Sequence, residues 1–223
     1  MKLIICAIII IVLISIQANA QWYIQYSYPY PVEIYQCHFT DNNRGWAVGE
    51  RVFFTLDGGT NWYPTTSFWW PAYSVYFIDS QIGFMGRNSS LYKTDNGGGN
   101  WLEVLTLPQE FQVYSIYFDS SKGTVIGYKK NFNEGNFIFQ SNNFGSTWTE
   151  IQSPTDYNLN SICFRNKFDG FVVGNNGLIL KTTDEGLNWI ETYLGSDNLR
   201  SIFFSSELNG WIGSTGGIYK TTD

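Results

Sequence analysis

Thr182-Thr183-Asp184-Glu185-Gly186-Leu187-Asn188-Trp189 is one of four copies of a single eight-residue pattern, and that pattern decides the fold. The other copies run from Thr55 to Trp62, Thr94 to Trp101 and Ser141 to Trp148. Seven places before each Trp stands a hydroxyl residue: Thr55, Thr94, Ser141 and Thr182. Five places before stands Asp57, Asn96, Asn143 or Asp184, and three before stands Gly59, Gly98, Gly145 or Gly186. A fifth copy opens at Thr221-Thr222-Asp223. Trp22 extends the series, so that five indoles follow one another at intervals of 40, 39, 47 and 41 residues. A period near 40 residues is the mark of one supersecondary unit stacked on copies of itself.

The residues between the boxes repeat too. An apolar run ends at Phe39, Phe77, Phe118, Phe164 and Phe204, and a Gly follows five or six places later: Gly45, Gly83, Gly123, Gly170 and Gly210. A short run rich in Val, Ile and aromatics comes next, then a turn such as Asn175-Asn176-Gly177. An Asn-Gly pair suits a tight hairpin. A third run leads into the box, and the Trp opens a fourth. Each period therefore reads as four short antiparallel strands, A to D, with β-branched and aromatic residues in the strands. The expected fold is all-β, a β-propeller of four-stranded antiparallel blades, about five of them.

Within the box, the hydroxyl and the Asp or Asn are suited to bond the backbone of a tight turn, and the Gly permits positive φ there. A single active site does not need four copies of its Asp, so the box is read as structural. The Trp is expected to pack into the blade, removing roughly 150–250 Å² of surface from water.

Composition narrows the function. Of 223 residues, 43% are hydrophobic and 18% aromatic. Only 14% are charged, against about 25% in an ordinary soluble domain. The net charge of −6 gives no basic footprint, so nucleic acid is not an expected partner. His38 is the single histidine, which excludes multi-histidine metal or catalytic chemistry. No metal and no cofactor are expected. Residues 1–20 have a basic start, an apolar run from Leu3 to Ile16, and Ala18-Asn19-Ala20, the pattern of a cleaved secretory signal peptide. The run is short of the roughly 20 residues that span a bilayer. The expectation is a propeller domain over residues 21–223, secreted or extracytoplasmic, with no membrane span after cleavage. Cys37 and Cys163 then remain, on adjacent rather than equivalent strand positions, and are expected to be buried small hydrophobes.

Gly45-Trp46-Ala47-Val48-Gly49, Phe171-Val172-Val173-Gly174 and the string from Lys181 to Trp189 resemble the bacterial neuraminidase repeat (BNR), or Asp-box, as it occurs in the photosystem II assembly and stability factor family. The resemblance runs over residues 22–223. It implies a β-propeller working as a non-enzymatic assembly scaffold, without implying photosynthesis. Sialidases, endoglucanases and sortilin-type receptors carry such repeats too. Two readings of closure stay open. Either the propeller is incomplete at the C-terminus, where the fifth box stops at Asp223, or the Trp22 strand completes the last blade and closes the ring.

Candidate ligand residues come from two places. Trp69 and Trp70 lie together in a D–A loop and are not accounted for by the repeat. Four places before each strand-A Phe stand Tyr35, Tyr73, Tyr114, Asn160 and Arg200, equivalent positions that should converge at the channel mouth. The expected partner is a protein or a glycan, bound without catalysis. The alternatives are a glycoside hydrolase module, sialidase-like or endoglucanase-like, and a structural domain of a larger surface protein. Arg44 and Arg165 fall near A–B turns, on the wrong face for a sialidase. Glu33, Glu110, Asp156 and Asp197 lie in D–A segments, where an endoglucanase would place its carboxylate pair.

Overall fold

The computed structural model describes residues 32–65, 71–129 and 135–223. They form five antiparallel sheets, each built by strands in chain order. Blade 1 holds β1 (Ile34–Phe39), β2 (Gly45–Gly49), β3 (Val52–Thr55) and β4 (Tyr63–Pro64). Blade 2 holds β5 (Ser74–Phe77), β6 (Gly83–Arg87), β7 (Ser90–Thr94) and β8 (Leu102–Thr106). Blade 3 holds β9 (Phe111–Asp119), β10 (Lys122–Lys129), β11 (Asn136–Ser141) and β12 (Thr149–Ile151). Blade 4 holds β13 (Leu159–Phe164), β14 (Gly170–Gly174), β15 (Leu178–Thr182) and β16 (Ile190–Tyr193). Blade 5 has three strands, β17 (Leu199–Phe204), β18 (Gly210–Ser214) and β19 (Ile218–Thr221). The signal-peptide reading of residues 1–20, and Trp22, fall outside the described residues.

The spacing from Phe to Gly has a direct cause. The two residues are cross-strand partners in all five blades: Phe39 with Gly45, Phe77 with Gly83, Phe118 with Gly123, Phe164 with Gly170 and Phe204 with Gly210. The ring lies flat over the Gly, and a Cβ on Gly170 would stand 2.5 Å from Phe164 Cε1. The box Trp then meets the same Phe edge-on. The pairs Phe39–Trp62, Phe77–Trp101, Phe118–Trp148 and Phe164–Trp189 have centroids 5.8–6.1 Å apart, with interplanar angles of 73–88°. This is a preferred aromatic geometry. The expected burial of the indoles is met only by Trp189, while Trp62, Trp101 and Trp148 remain half-exposed. The Phe takes the inner place because it sits on the axial strand, whereas the Trp opens the outer one.

The box works as a small hydrogen-bonded knot. The Thr182 hydroxyl donates to Asp184 Oδ1 (2.7 Å) and accepts from the Gly186 N–H (2.9 Å). Asp184 Oδ1 accepts from the Asn188 N–H (2.9 Å). The same bonds recur around Thr55, Thr94 and Ser141. Each hydroxyl residue is buried, and Gly59, Gly98, Gly145 and Gly186 all have φ between +69° and +94°. The Asn175–Gly177 turn carries positive φ at Asn176 (56°) and Gly177 (72°), as a tight hairpin requires.

These knots set a pH dependence. Bonds from the Asn61 backbone and side-chain amides hold the Asp57 carboxyl below its ordinary value, and Asn188 does the same for Asp184. A carboxyl depressed by folding adds stability that is complete above its unfolded value, about 3.9, and is lost as the pH falls through the folded value. Blades 2 and 3 carry Asn in that place and cannot titrate. Urea unfolding is therefore expected to show wild type losing more stability between about pH 5 and about pH 3 than Asp57→Asn/Asp184→Asn does.

The core lies between blades rather than within one. Phe84, Val113 and Phe118 knit blades 2 and 3, Ile126, Leu159 and Ile162 knit blades 3 and 4, and Trp46, Val75 and Phe77 knit blades 1 and 2. The outward faces of blades 1 and 5 meet no further blade among the described residues. Ile34 is 47% exposed although its blade 5 counterpart Leu199 is 0% exposed. Cys37 is exposed for the same reason, contrary to the sequence expectation, because its face of blade 1 is uncovered. Cys163 is half-buried, and both thiols are free.

Candidate functional site

The five strand-A positions meet in one cavity. Tyr35, Tyr73, Tyr114, Asn160 and Arg200 line a space of about 660 Å³ where the inner strands begin. The tyrosines form a staircase. Tyr35 stacks on Tyr73 at 5.3 Å and 6°, Tyr73 meets Tyr114 at 5.8 Å, and Tyr114 stacks on Tyr128 at 4.1 Å and 6°. Strand A is the reason for this convergence. It is the axial strand, so residues in one register position of successive blades face a common axis.

Their chemistry divides them. The Tyr35 hydroxyl donates to Glu33, and that of Tyr114 donates to Gln112 Oε1. Burial, followed by a hydrogen bond with Tyr128, pushes the Tyr114 phenol above its usual range, so it stays a neutral donor. The Asn160 amide is committed to the fold: it donates to the Leu199 carbonyl (2.7 Å) and to Asn175 Oδ1 (3.1 Å), locking blade 4 to blade 5. The Tyr73 hydroxyl and the Arg200 guanidinium have no hydrogen-bond partner among the described residues. They are the groups left for a ligand. Trp69 and Trp70 lie outside the described residues.

Sequence reading missed the next position along the same strands. Ser115 and Ser161 accept from the Ile162 and Ile202 N–H groups, and Gln36 accepts from the Val75 N–H (2.8 Å). Ser74 turns the other way and donates to the Val113 carbonyl. These residues brace the wall that carries the tyrosines. A polar residue three places before every strand-A Phe was the available signal. His38 belongs to a second brace: its Nε2–H donates to the Phe77 carbonyl (3.0 Å), as the Tyr76 hydroxyl does to that of Phe118 (2.8 Å). Burial lowers the His38 pKa, and the ring packs on Tyr76.

Among the described residues no carboxylate lines the channel-mouth cavity, although that of Glu33 stands beside it on the Tyr35 hydroxyl, and Glu110, Asp156 and Asp197 are not part of its lining. Among the described residues no group of three His, Cys, Asp or Glu is placed to hold a metal ion, and no helix is long and apolar enough to cross a membrane.

Residues 140–223 match the family model described as Photosynthesis system II assembly factor YCF48. The chain is a BNR-repeat propeller resembling the photosystem II assembly factor family. A curated relative, the Photosystem II assembly lipoprotein Ycf48 of Synechococcus sp. (strain CC9902), is 29% identical over 124 residues, covering 52% of this chain. The chain spans about a third (34%) of that relative's length. The propeller also superposes on solved structures. The extracellular domain of a one component system from B. thetaiotaomicron aligns over 89% of this chain and 28% of its own, with a TM-score of 0.71 at 13% identity. An ancestral GH74 enzyme aligns over 85% of this chain and 31% of its own, with a TM-score of 0.67 at 18% identity. Both share the fold.

Proposed function

We propose that this chain is an extracytoplasmic, non-catalytic propeller that binds a protein partner at the channel mouth and serves as an assembly scaffold. The observation that carries the reading is the composition of that mouth: three tyrosines, an asparagine and an arginine from five blades, with no carboxylate among its described lining residues. Glycoside hydrolysis usually needs two carboxyl groups a few ångströms apart, and no such pair is among the described lining residues. Tyrosine and arginine are the side chains that protein interfaces favour, because each offers a large rigid surface with a polar end. The family resemblance supports a scaffold role, and the apolar leader of residues 1–20 supports export.

The test is affinity capture of extracytoplasmic proteins by the tagged full chain, compared with Tyr73→Phe/Arg200→Ala. These changes remove the two unengaged polar groups and leave the aromatic staircase in place. The variant is expected to keep the wild-type melting temperature and recover at least about tenfold less of the same partner, a loss of about 1.4 kcal/mol or more. Equal recovery would remove the channel mouth from the function. Polysaccharide hydrolysis abolished by changing Glu110 or Asp156 would replace the scaffold reading with the enzyme one.

A further inference from the structure

The blade junctions are built from recurring parts, one set on the leading blade and one on the blade that follows. An aromatic ring of the leading blade lies on the strand-A Phe of the next: Trp46 on Phe77 (3.5 Å, 9°), Phe84 on Phe118 (4.2 Å, 15°), Tyr117 on Phe164 (5.0 Å, 26°) and Phe171 on Phe204 (5.1 Å, 27°). A latch joins the leading blade to the next box. The carbonyl four places before the box Trp accepts from the preceding blade: Gly97 from the Trp46 indole (3.1 Å), Phe144 from the Lys93 ammonium and Glu185 from the Gln140 amide (2.9 Å). A brace lies nearer the axis, where Gln36, Ser115 and Ser161 accept from the Val75, Ile162 and Ile202 N–H groups of the following blade.

Blade 5 carries the leading set with no blade in front of it among the described residues. Trp211 holds the place of Trp46, Phe84 and Phe171. Lys220 is its cross-strand partner, and the ammonium stands 5.7 Å from the ring. Lys93 with Phe84 and Lys181 with Phe171 repeat that arrangement at 5.8 Å each, and both rings still stack on the next Phe. Ser201 holds the place of Ser115 and Ser161, and its hydroxyl has no hydrogen-bond partner among the described residues. Ile218 is 81% exposed, although Val52, Leu91 and Ile138 at the same register are buried.

Blade 1 carries the following set, equally open. Phe39 lies over Gly45 and meets Trp62 edge-on, and its remaining side faces solvent. Cys37 holds the place of Val75, Ile162 and Ile202 and is exposed. Gly58 stands four places before Trp62, and no hydrogen bond among the described residues reaches its carbonyl.

The two sets answer each other part by part: Trp211 to the Phe39 ring, Ser201 to the Cys37 N–H, and Lys220 to the Gly58 carbonyl. Each face therefore asks for a blade of the other kind, with a ring, a latch and a brace in fixed register, which is more than an apolar patch requires. A second copy of the chain offers both kinds at once. Such a contact joins unlike faces, so each copy gives one and takes one.

We infer that the outer faces of blades 5 and 1 are the two halves of one more junction, and that they dock head to tail between two copies of this chain, Trp211 and Ile218 of one against Phe39 and Cys37 of the other.

The test is analytical sedimentation of the full chain over an about hundredfold range of concentration, because an association governed by mass action must follow protomer concentration. A reductant is present, so that Cys37 cannot link copies covalently. Three proteins are compared: wild type, Ile218→Lys, which puts a charge on the leading face, and Cys37→Lys, which puts one on the following face. Both side chains are exposed, so both variants are expected to melt with dilute wild type. Wild type is expected to reach at least a doubled mass as concentration rises, and each variant alone to stay a monomer. An equal mixture of the two variants is expected to form a complex of two chains, because it retains one intact face of each kind. A wild type that stays monomeric throughout overturns the proposal, whether its faces remain open or are covered by the chain's own residues. Either variant associating alone as wild type does also overturns it, since like faces would then be meeting or the contact would lie elsewhere. So does a mixture that stays monomeric at the highest concentration. Should a variant fail to fold, Phe203→Lys replaces the first and Ile34→Lys the second, both at exposed positions.

Discussion

Phe77→Ala is expected to lower the unfolding free energy by about 3–5 kcal/mol, the cost of removing a large ring from a site that cannot collapse. Phe77 is 2% exposed and held on three sides. Trp46 of blade 1 covers one face at 3.5 Å, Gly83 lies under it across the strand pair, and Trp101 closes the edge at 5.8 Å. Alanine leaves all three contacts facing a void, and backbone pairing between β5 and β6 prevents the strands from closing it. Phe39 occupies the same register in blade 1 but is 43% exposed. Phe39→Ala should therefore cost less than half as much. Equilibrium urea unfolding of the two variants measures the difference. Equal costs would mean that stacking between neighbouring blades contributes little and that each blade stands on its own.

Gly145→Ala is expected to cost about 2–4 kcal/mol, for two separable reasons. Gly145 has φ of +69°, a left-handed conformation that costs an L side chain roughly 1–2 kcal/mol. A Cβ there would also overlap Cε1 of Phe84, a fully buried ring of the preceding blade. Overpacking of that kind costs about 1–3 kcal/mol. Gly99→Ala is the control. That Gly follows the blade 2 box, its φ is not positive, and the nearest atoms to an added Cβ are the Asn96 side chain at 3.3 Å. Thermal unfolding should show a large fall in melting temperature for Gly145→Ala and a small one for Gly99→Ala. Comparable shifts would mean that the box Gly is a matter of turn propensity and not of packing between blades.

The sequence displays its blades openly because each of their signatures is local. The box bonds span two to four residues, and the Phe–Gly pair is a single hairpin contact set by a spacing of five or six. Such contacts recur whenever the local string recurs, so four copies identify them. Interactions across a blade junction are harder to read. The Ser115, Ser161 and His38 braces reach partners about 40 residues away, and nothing in the local string says which neighbour receives them. Exposure follows the same rule. Cys37 holds the register position of Val75, Ile116 and Ile162, all buried, yet it is exposed because burial there is conferred by an adjacent blade. The tyrosine staircase was legible because equivalent axial positions must face one axis. The exception between blades 3 and 4 was legible in principle as well: Thr124 breaks a column otherwise filled by Trp46, Phe84, Phe171 and Trp211, and Tyr117 stacks on Phe164 in its place. What the column means became clear only once Phe77, Phe118 and Phe204 were seen to lie beneath its rings.

The partner surface is tested most directly by hydrogen exchange of the full chain, free and with its captured protein partner bound. The account predicts slowed exchange where β1, β5, β9, β13 and β17 begin, at the backbone amides around Tyr35, Tyr73, Tyr114, Asn160 and Arg200. Protection confined to the Asp-box turns near Asp57, Asn96, Asn143 and Asp184, with the tyrosine end unchanged, would contradict it.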